Sequence, residues 1–280
     1  MATGLPFVKM HGLGNDFVVL DLRETPRAFS DAAVRAIADR RTGVGCDQFI
    51  TIEAPRDGDA AAWMGIRNAD GSTVGACGNA TRCVADILMG EAGQDAVTLQ
   101  TVPGLLHATR AADGQVTVDM GPARLDWRDI PLAHAVDTTH LPLEAGSLRD
   151  AVGVSMGNPH AVFFVPDAEA VPLTDVGPGL EHDPLFPERA NIEVVSLRPD
   201  GRLRMRVWER GTGITMACGT GACATLVAAV LRGHVERAAD VVLDGGILHI
   251  DWDRAANRVL MTGPVATSFT GILDESLLTA

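Results

Sequence analysis

The chain has 280 residues and not one tyrosine, and aromatic residues make up only 4% of it. Its cores must therefore be built from Ala, Val, Leu and Ile, and a hydrophobic content of 46% supplies them. Positive charge is also short. A formal net charge of −13 argues against nucleic acid or an anionic membrane as partner. It leaves room for a small anionic substrate, because a helix end can override the global field locally. The longest apolar run, residues 222–231, is too short to span a bilayer. Residues 1–11 lack a basic-then-apolar leader. The cysteines are Cys46, Cys77, Cys83, Cys218 and Cys223. An odd number without a leader points to free thiols in a reducing cytosol. Their spacings do not give the short pairs that zinc sites use, so no metal is expected. Lysine is scarce, and Lys9 falls in an expected strand, so nothing points to pyridoxal phosphate.

What the sequence does have is a repeated phrase. Residues 67–83 read R-N-A-D-G-S-T-V-G-A-C-G-N-A-T-R-C, and residues 208–223 read W-E-R-G-T-G-I-T-M-A-C-G-T-G-A-C; an apolar segment follows each. Cys77 and Cys218 stand 141 residues apart (218 − 77), each inside Ala-Cys-Gly. Gly14-Asn15 matches Gly157-Asn158, Gln48 matches Asn191, and Asn68 matches Glu209 at nearly the same offset. A duplicated core needs only matching apolar positions, whereas amides and thiols repeated at loop tips are harder to explain by packing. Two halves are expected, 1–122 and 123–264, with a tail over 265–280.

Periodicity and turn chemistry fill in the elements. Strands are expected near 7–11, 17–20, 49–52, 64–67, 97–101, 105–110 and 116–120. In the second half they fall near 160–165, 192–197, 203–208, 241–243, 248–252 and 258–262. Helices are expected over 30–39, with Ser30 as N-cap, and after each of the two cysteine phrases. Arg40 and Arg41 read as surface residues, and Gly43-Val44-Gly45 is too weak a pattern for a nucleotide loop.

Each phrase delivers a thiol to a helix start. First-turn N–H groups are unsatisfied and carry partial positive charge. They hold a carboxylate well, and they are expected to lower a thiol pKa from about 8.5 towards neutrality. The plainer reading is a buried cysteine packed as a small hydrophobe. It suits Cys46, Cys83 and Cys223, and it fits Cys77 and Cys218 poorly. A redox pair is a further alternative, but there is no Cys-x-x-Cys. Two thiols in two halves suit a racemase or epimerase, which must remove a proton from one face of a carbon and return one to the other. Without a cofactor, the developing carbanion must be stabilised electrostatically, and two helix N-termini can do that. Singly, the loop residues Asn15, Asn68, Asn79, Asn158 and Asn191 read as turn chemistry; their duplication favours substrate contact. Glu209 and Arg210 could pair with each other, or hold a substrate ammonium and carboxylate. His160 could tune a thiol.

The phrases F-V-K-M-H-G-L-G-N-D-F (7–17), G-V-G-C-D-Q (43–48), N-A-D-G-S (68–72), A-C-G-N (76–79), G-N-P-H (157–160), N-I-E (191–193) and E-R-G-T-G through A-C-G-T-G (209–221) closely resemble the diaminopimelate epimerase family. The resemblance implies a cofactor-free interconversion of LL- and meso-2,6-diaminopimelate, in lysine and cell-wall precursor synthesis, with Cys77 and Cys218 as the acid–base pair. It implies that His160 and Glu209 assist the thiols. Substrate would be lined by Asn15, Gln48, Asn68, Gly78, Asn79, Asn158, Asn191, Glu209, Arg210, Gly219 and Thr220. The implied fold is α+β: two pseudo-symmetric halves, each a curved, mixed, mostly antiparallel sheet wrapped around a central helix. The tail returns to the first half, the active site lies in the cleft, and the protein is a cytoplasmic homodimer. Ala80 stands where many relatives carry glycine, and Phe269 near where relatives carry a dimer-contact tyrosine. Proline-racemase-like enzymes share the two-thiol logic but need no site for a distal amino-acid head.

Overall fold

A computed structural model describes residues 4–56 and 58–278. The N-terminal stretch read for a leader therefore begins outside the described residues, and the tail read as 265–280 ends outside them. The chain divides into two units, Met1–Val118 with Gly263–Ala280, and Asp119–Thr262.

The first unit opens with β1 (Leu5–Gly12) and β2 (Asn15–Asp21), then α1 (Asp31–Ala38), β3 (Gln48–Glu53), β4 (Ala62–Asn68), α2 (Gly78–Ala92), β5 (Ala96–Thr101), β6 (Gly104–Arg110) and β7 (Val116–Asp119). The pairs β1–β2, β3–β4, β5–β6 and β6–β7 are antiparallel. The pairs β2–β3 and β4–β5 are parallel, each crossed by a helix, as parallel neighbours require. Ser30 caps α1, its hydroxyl accepting from the Ala33 N–H at 2.9 Å.

The second unit repeats this order after an opening hairpin, β8 (Leu141–Ala145) with β9 (Leu148–Ser155). It continues with β10 (Pro159–Phe164), α3 (Leu173–Glu181), β11 (Asn191–Leu197), β12 (Leu203–Glu209), the short β13 (Gly213–Ile214), α4 (Gly219–Leu231), β14 (Ala238–Leu243), β15 (Gly246–Asp253) and β16 (Arg258–Gly263). Here β10–β11 and β12–β14 are the parallel pairs. The chain ends in β17 (Ala266–Leu273) and α5 (Glu275–Leu278); β17 runs antiparallel to β1 and so takes, in the first unit, the place that β8 holds beside β9.

Each sheet has two covered faces. In the first unit Val18, Leu20 and Phe49 join Val34 and Ile37 of α1 in one cluster. In the second, Ala161, Phe163, Ile192 and Val194 join Leu173 and Leu180 of α3. Side chains alternate along a strand, so the residues between these face the other way, towards α2 and α4. Helix α4 reads A-C-A-T-L-V-A-A-V-L and is buried on every side; it packs on β9, β10, β11, β12, β14 and β15. A helix hydrophobic all round belongs inside a core.

Six elements lie where no strand or helix was expected: β8, β9, α3, β17, the two-residue β13 and the short α5. Helix α3 runs through Gly177-Pro178-Gly179, a sequence that reads as a turn. Packing holds it in place. The Trp208 indole lies against Gly177, where an added Cβ would meet its ring at 2.6 Å. The indole N–H donates to Glu181 Oε2 at 2.7 Å.

Candidate active site

The parallel crossovers bring the duplicated polar residues to corresponding places. In the first unit Asn15 opens β2, Gln48 opens β3, Asn68 ends β4, and Cys77 is the N-cap of α2. In the second, Asn158 precedes β10, Asn191 opens β11, Glu209 ends β12, and Cys218 is the N-cap of α4. Both caps have extended backbone, with φ −147° at Cys77 and −113° at Cys218. Gly78 and Asn79 in one unit, and Gly219 and Thr220 in the other, thus form a first helical turn whose N–H groups have no partner within the helix.

Around Cys77 the neighbours are amides. Its Sγ lies 3.8 Å from Asn15 Oδ1, which also accepts from Asn79 Nδ2 at 3.2 Å. Asn15 Nδ2 donates to Asp47 at 3.0 Å. Gln48 Nε2 donates to Asn68 Oδ1 at 3.2 Å, and Asn68 Nδ2 to Ser72 Oγ at 3.1 Å. Cys77 itself is half-buried. Arg40, expected to be a plain surface residue, forks onto Asp16 at 2.9 and 2.7 Å and reaches Asp47 at 2.7 Å. Burial pushes the Asp16 carboxyl up, but Arg40 and Lys9 outweigh it and hold it well below the usual carboxylate range. Asp47 is thus a residue of this half-site that the sequence reading passed over.

Around Cys218 the neighbours are charged and the sulfur is buried. Sγ accepts from the Gly221 N–H at 3.4 Å and lies 3.6 Å from Thr220 Oγ1. Asn158 Nδ2 donates to Thr220 Oγ1 at 3.3 Å, and Asn158 Oδ1 faces His160 Nε2 at 3.0 Å. The ring's Nδ1 lies 2.7 Å from Glu193 Oε1. Glu209 takes a hydrogen bond from Thr215 and another from Cys218. Burial pushes the Glu209 carboxyl up.

One expectation about the thiols fails here. Cys218 is pushed well above the ordinary thiol value, not towards neutrality. Burial is the largest cause, and the charges of Glu209 and Glu193 add to it; Thr220 and the Gly221 N–H oppose them without prevailing. Cys83 and Cys46, pushed by burial to about 12 and about 11, match the plainer reading of a packed hydrophobe.

Glu209 and Arg210 are held by different partners. Asn191 Oδ1 accepts from the Arg210 backbone N–H at 2.9 Å, its Nδ2 donates to Pro159 O at 3.1 Å, and Arg210 Nη1 donates to Glu188 O at 3.1 Å. Buried Glu181 accepts from the Gly211 N–H at 2.9 Å as well as from Trp208, so α3 anchors the loop that carries Glu209 and Arg210. Glu181 and Glu193 were both missed: one lies in the unexpected helix, the other in mid-strand.

The fold is one that racemases, epimerases and related proteins share. A hydroxyproline epimerase from Agrobacterium vitis superposes with a TM-score of 0.69 at 17% identity, over 96% of this chain and 90% of that one. A phenazine biosynthesis protein of the PhzF family from Bacillus anthracis gives 0.68 at 15% identity, over 97% and 99%. The chain belongs to the diaminopimelate epimerase family, whose sequence model matches residues 7–125 and 152–268. It is 61% identical to the diaminopimelate epimerase of Rhodospirillum centenum, over 97% of this chain and 93% of that one. It is 54% identical to that of Acidiphilium cryptum, over 99% of both.

Proposed function

We propose that this chain epimerises 2,6-diaminopimelate, converting LL to meso and back, with Cys77 and Cys218 as the two proton carriers. Family membership gives the reaction class, an isomerase of an amino acid in the lysine biosynthetic route. The observation that carries the residue assignment is that both thiols cap helices at corresponding points of two repeated units.

On this reading Cys218 rests as a thiol and serves first as acid, while Cys77 takes the proton. In the reverse direction Cys218 needs a group to hold its proton. Glu209 is suited to that: it hydrogen-bonds the sulfur, and its raised pKa brings it closer to working pH. The first-turn N–H groups at Gly78, Asn79, Gly219 and Thr220 face the α-carboxylate and stabilise the carbanion as it forms. Asn15, Asn158 and Gln48 orient the substrate. Asn68, Asn191, Glu209 and Arg210 hold its distal amino-acid head.

Two further features belong to the proposal. The enzyme works in the cytoplasm, which five free cysteines support. It forms a homodimer, for which exposed Phe269 and Ile272 on β17 are a suitable contact. Among the described residues no helix is long and apolar enough to cross a membrane.

The test is solvent deuterium incorporation at Cα of LL-diaminopimelate by the reduced protein, with proline as control substrate. Exchange with diaminopimelate alone is expected. Exchange with proline alone would move the assignment to a proline-racemase-like enzyme, and no exchange with either would remove the epimerase reading.

A further inference from the structure

We propose that Glu193 is a positioning residue of the Cys218 half-site: by holding the Nδ1–H of His160 it lets that ring switch a hydrogen-bond chain that ends on the Cys218 sulfur. The inference rests on the reading of Cys218 as a proton carrier.

Glu193 lies in mid-strand in β11, in the run N-I-E-V-V-S-L, and is fully buried. Burying a carboxylate is costly unless a partner compensates. Its Oε1 lies 2.7 Å from His160 Nδ1, and its Oε2 has no hydrogen-bond partner among the described residues. Ile192 and Val194 face the α3 cluster, so Glu193 faces α4. There α4 comes close: a Cβ on Gly221 would meet Glu193 Oε1 at 2.8 Å and Cys218 Sγ at 3.2 Å. Any side chain at 221 would separate the two.

The scaffold does not need this pair. Strand register sets His160 opposite Asn191 as Phe17 is set opposite Gln48, and Glu193 opposite Val162 as Ile50 is opposite Val19. The first unit therefore fills the two positions with phenylalanine and isoleucine, both buried. Replacing a buried ion pair by well-packed apolar groups is often neutral or stabilising. Packing alone does not account for a carboxylate and an imidazole in the second unit.

The pair begins a chain of four links: Glu193 to His160 at 2.7 Å, His160 to Asn158 at 3.0 Å, Asn158 to Thr220 at 3.3 Å, and Thr220 to Cys218 at 3.6 Å. The chain can run in two directions. With a hydrogen on Nδ1 only, Nε2 accepts from the Asn158 amide, the amide oxygen accepts from Thr220, and Thr220 accepts from the thiol. With a second hydrogen on Nε2, the ring donates to Asn158 Oδ1, Nδ2 donates to Thr220, and the hydroxyl points at the sulfur. The second order gives the sulfur a hydroxyl donor and suits a thiolate, or a thiol whose own hydrogen goes to Glu209; the first order takes that donor away and suits a thiol that has turned its hydrogen to Thr220. The structure has the second order of amide atoms, with Oδ1 towards the ring and Nδ2 towards Thr220. A two-base reaction needs Cys218 in both states in turn, and a carboxylate at Nδ1 is compatible with both orders.

The test is Glu193→Gln, which keeps the shape and removes the charge. We expect kcat to fall tenfold or more in both directions with KM little changed. Imidazole 15N spectra should show Nδ1 protonated throughout in the wild type and a mixture of tautomers in the variant. Glu193→Asp should recover part of the lost kcat. Most of the loss should vanish in a His160→Phe background, because the hydrogen-bond chain runs through that ring; only the direct effect of the Glu193 charge on Cys218 would remain. The double variant His160→Phe with Glu193→Ile copies the first unit; it should keep a Tm near wild type and be as slow as His160→Phe alone. Wild-type kcat in Glu193→Gln, or an equal loss with and without His160, overturns the proposal while leaving the two-thiol site intact. Full turnover in Cys218→Ala would remove the two-thiol site itself.

Discussion

The same backbone carries a cysteine at the N-cap of α2 and of α4, yet the two sulfurs live in different surroundings. Cys77 is half-buried among amides, with Asn15 as its hydrogen-bond partner. Cys218 is buried, with Glu209 and the Glu193–His160 pair around it. A helix N-terminus is therefore not enough to set a thiol's resting state. Burial and two carboxylates overrule it in the second unit. On the proposed reading the reaction at the α-carbon nearly superposes onto itself when run backwards, but its two proton carriers are not equivalent: Cys77 has the Asn15 amide beside it, and Cys218 has the Glu209 carboxyl, which can exchange a proton with it.

The largest effect should come from removing either member of the comparison. Cys77→Ala and Cys218→Ala should each cost roughly 10³-fold in turnover in both directions, since each face of the carbon needs its own carrier. Cys83→Ala, inside α2, should lower Tm and leave kcat within a few-fold. A well-folded Cys83→Ala protein as slow as Cys77→Ala would break the assignment.

The next removes the charge that distinguishes the two surroundings. Glu209→Gln should slow turnover by roughly 10²-fold, because it deletes a group that holds the Cys218 proton. It should also move alkylation of Cys218 by iodoacetamide to lower pH. Burial would still raise that thiol, but the carboxylate that raises it further would be gone. The profile of Cys77, followed by peptide mass spectrometry, should not move. If both cysteines shifted together, the difference in surroundings would not be what sets them apart.

How much of this could be read from the chain depended on what kind of residue carried it. The doubled phrases around Cys77 and Cys218, and the paired Asn15 and Asn158, were legible because small and polar residues in loops have few other reasons to repeat. The cap at Ser30 was legible because its chemistry is local. Helix α3 was not, since Asp175-Val176-Gly177-Pro178-Gly179 has the composition of a turn and is helical only with Trp208 lying against Gly177. Strand β17 was not, because A-T-S-F-T-G-I-L leaves most of one face exposed and lacks the buried run of a core strand. Glu193 was hidden by periodicity: a glutamate alternating with Ile192 and Val194 has the pattern of a half-exposed strand, and only the approach of α4 shows that the other face is also buried. The raised thiol of Cys218 could not be read locally, since its causes are burial in the core and carboxylates carried by β11 and β12.

A third variant tests the distal head. Arg210→Lys keeps the charge and loses the planar fork, so kcat/KM for diaminopimelate should fall roughly tenfold, the equivalent of about 1.4 kcal/mol. An analogue lacking the distal carboxylate should be poor with the wild type and lose little more with the variant. Equal penalties for both substrates would leave Arg210 as a loop anchor, through Glu188 and Asn191.

The smallest effect concerns a charge cluster that only the first unit has. Asp16 stands at the entry to β2, where the second unit has Pro159 at the corresponding place. Lys9 reaches it at 2.6 Å and Arg40 forks onto it. Its carboxyl is held below the ordinary range in the folded chain, against the push of burial. A group whose folded pKa is depressed contributes stability above its unfolded value, about 3.9, and loses that contribution as pH falls towards the folded value. Arg40→Met removes one of the two cations. Because Arg40 is more than half exposed, the cost should be only about 1 kcal/mol near neutral pH. The gap in Tm between wild type and variant should be constant from about pH 5 to pH 8, and should narrow below about pH 4 as Asp16 takes up its proton. A gap that widened in acid would mean that Arg40 stabilises the first unit through some group other than this carboxylate.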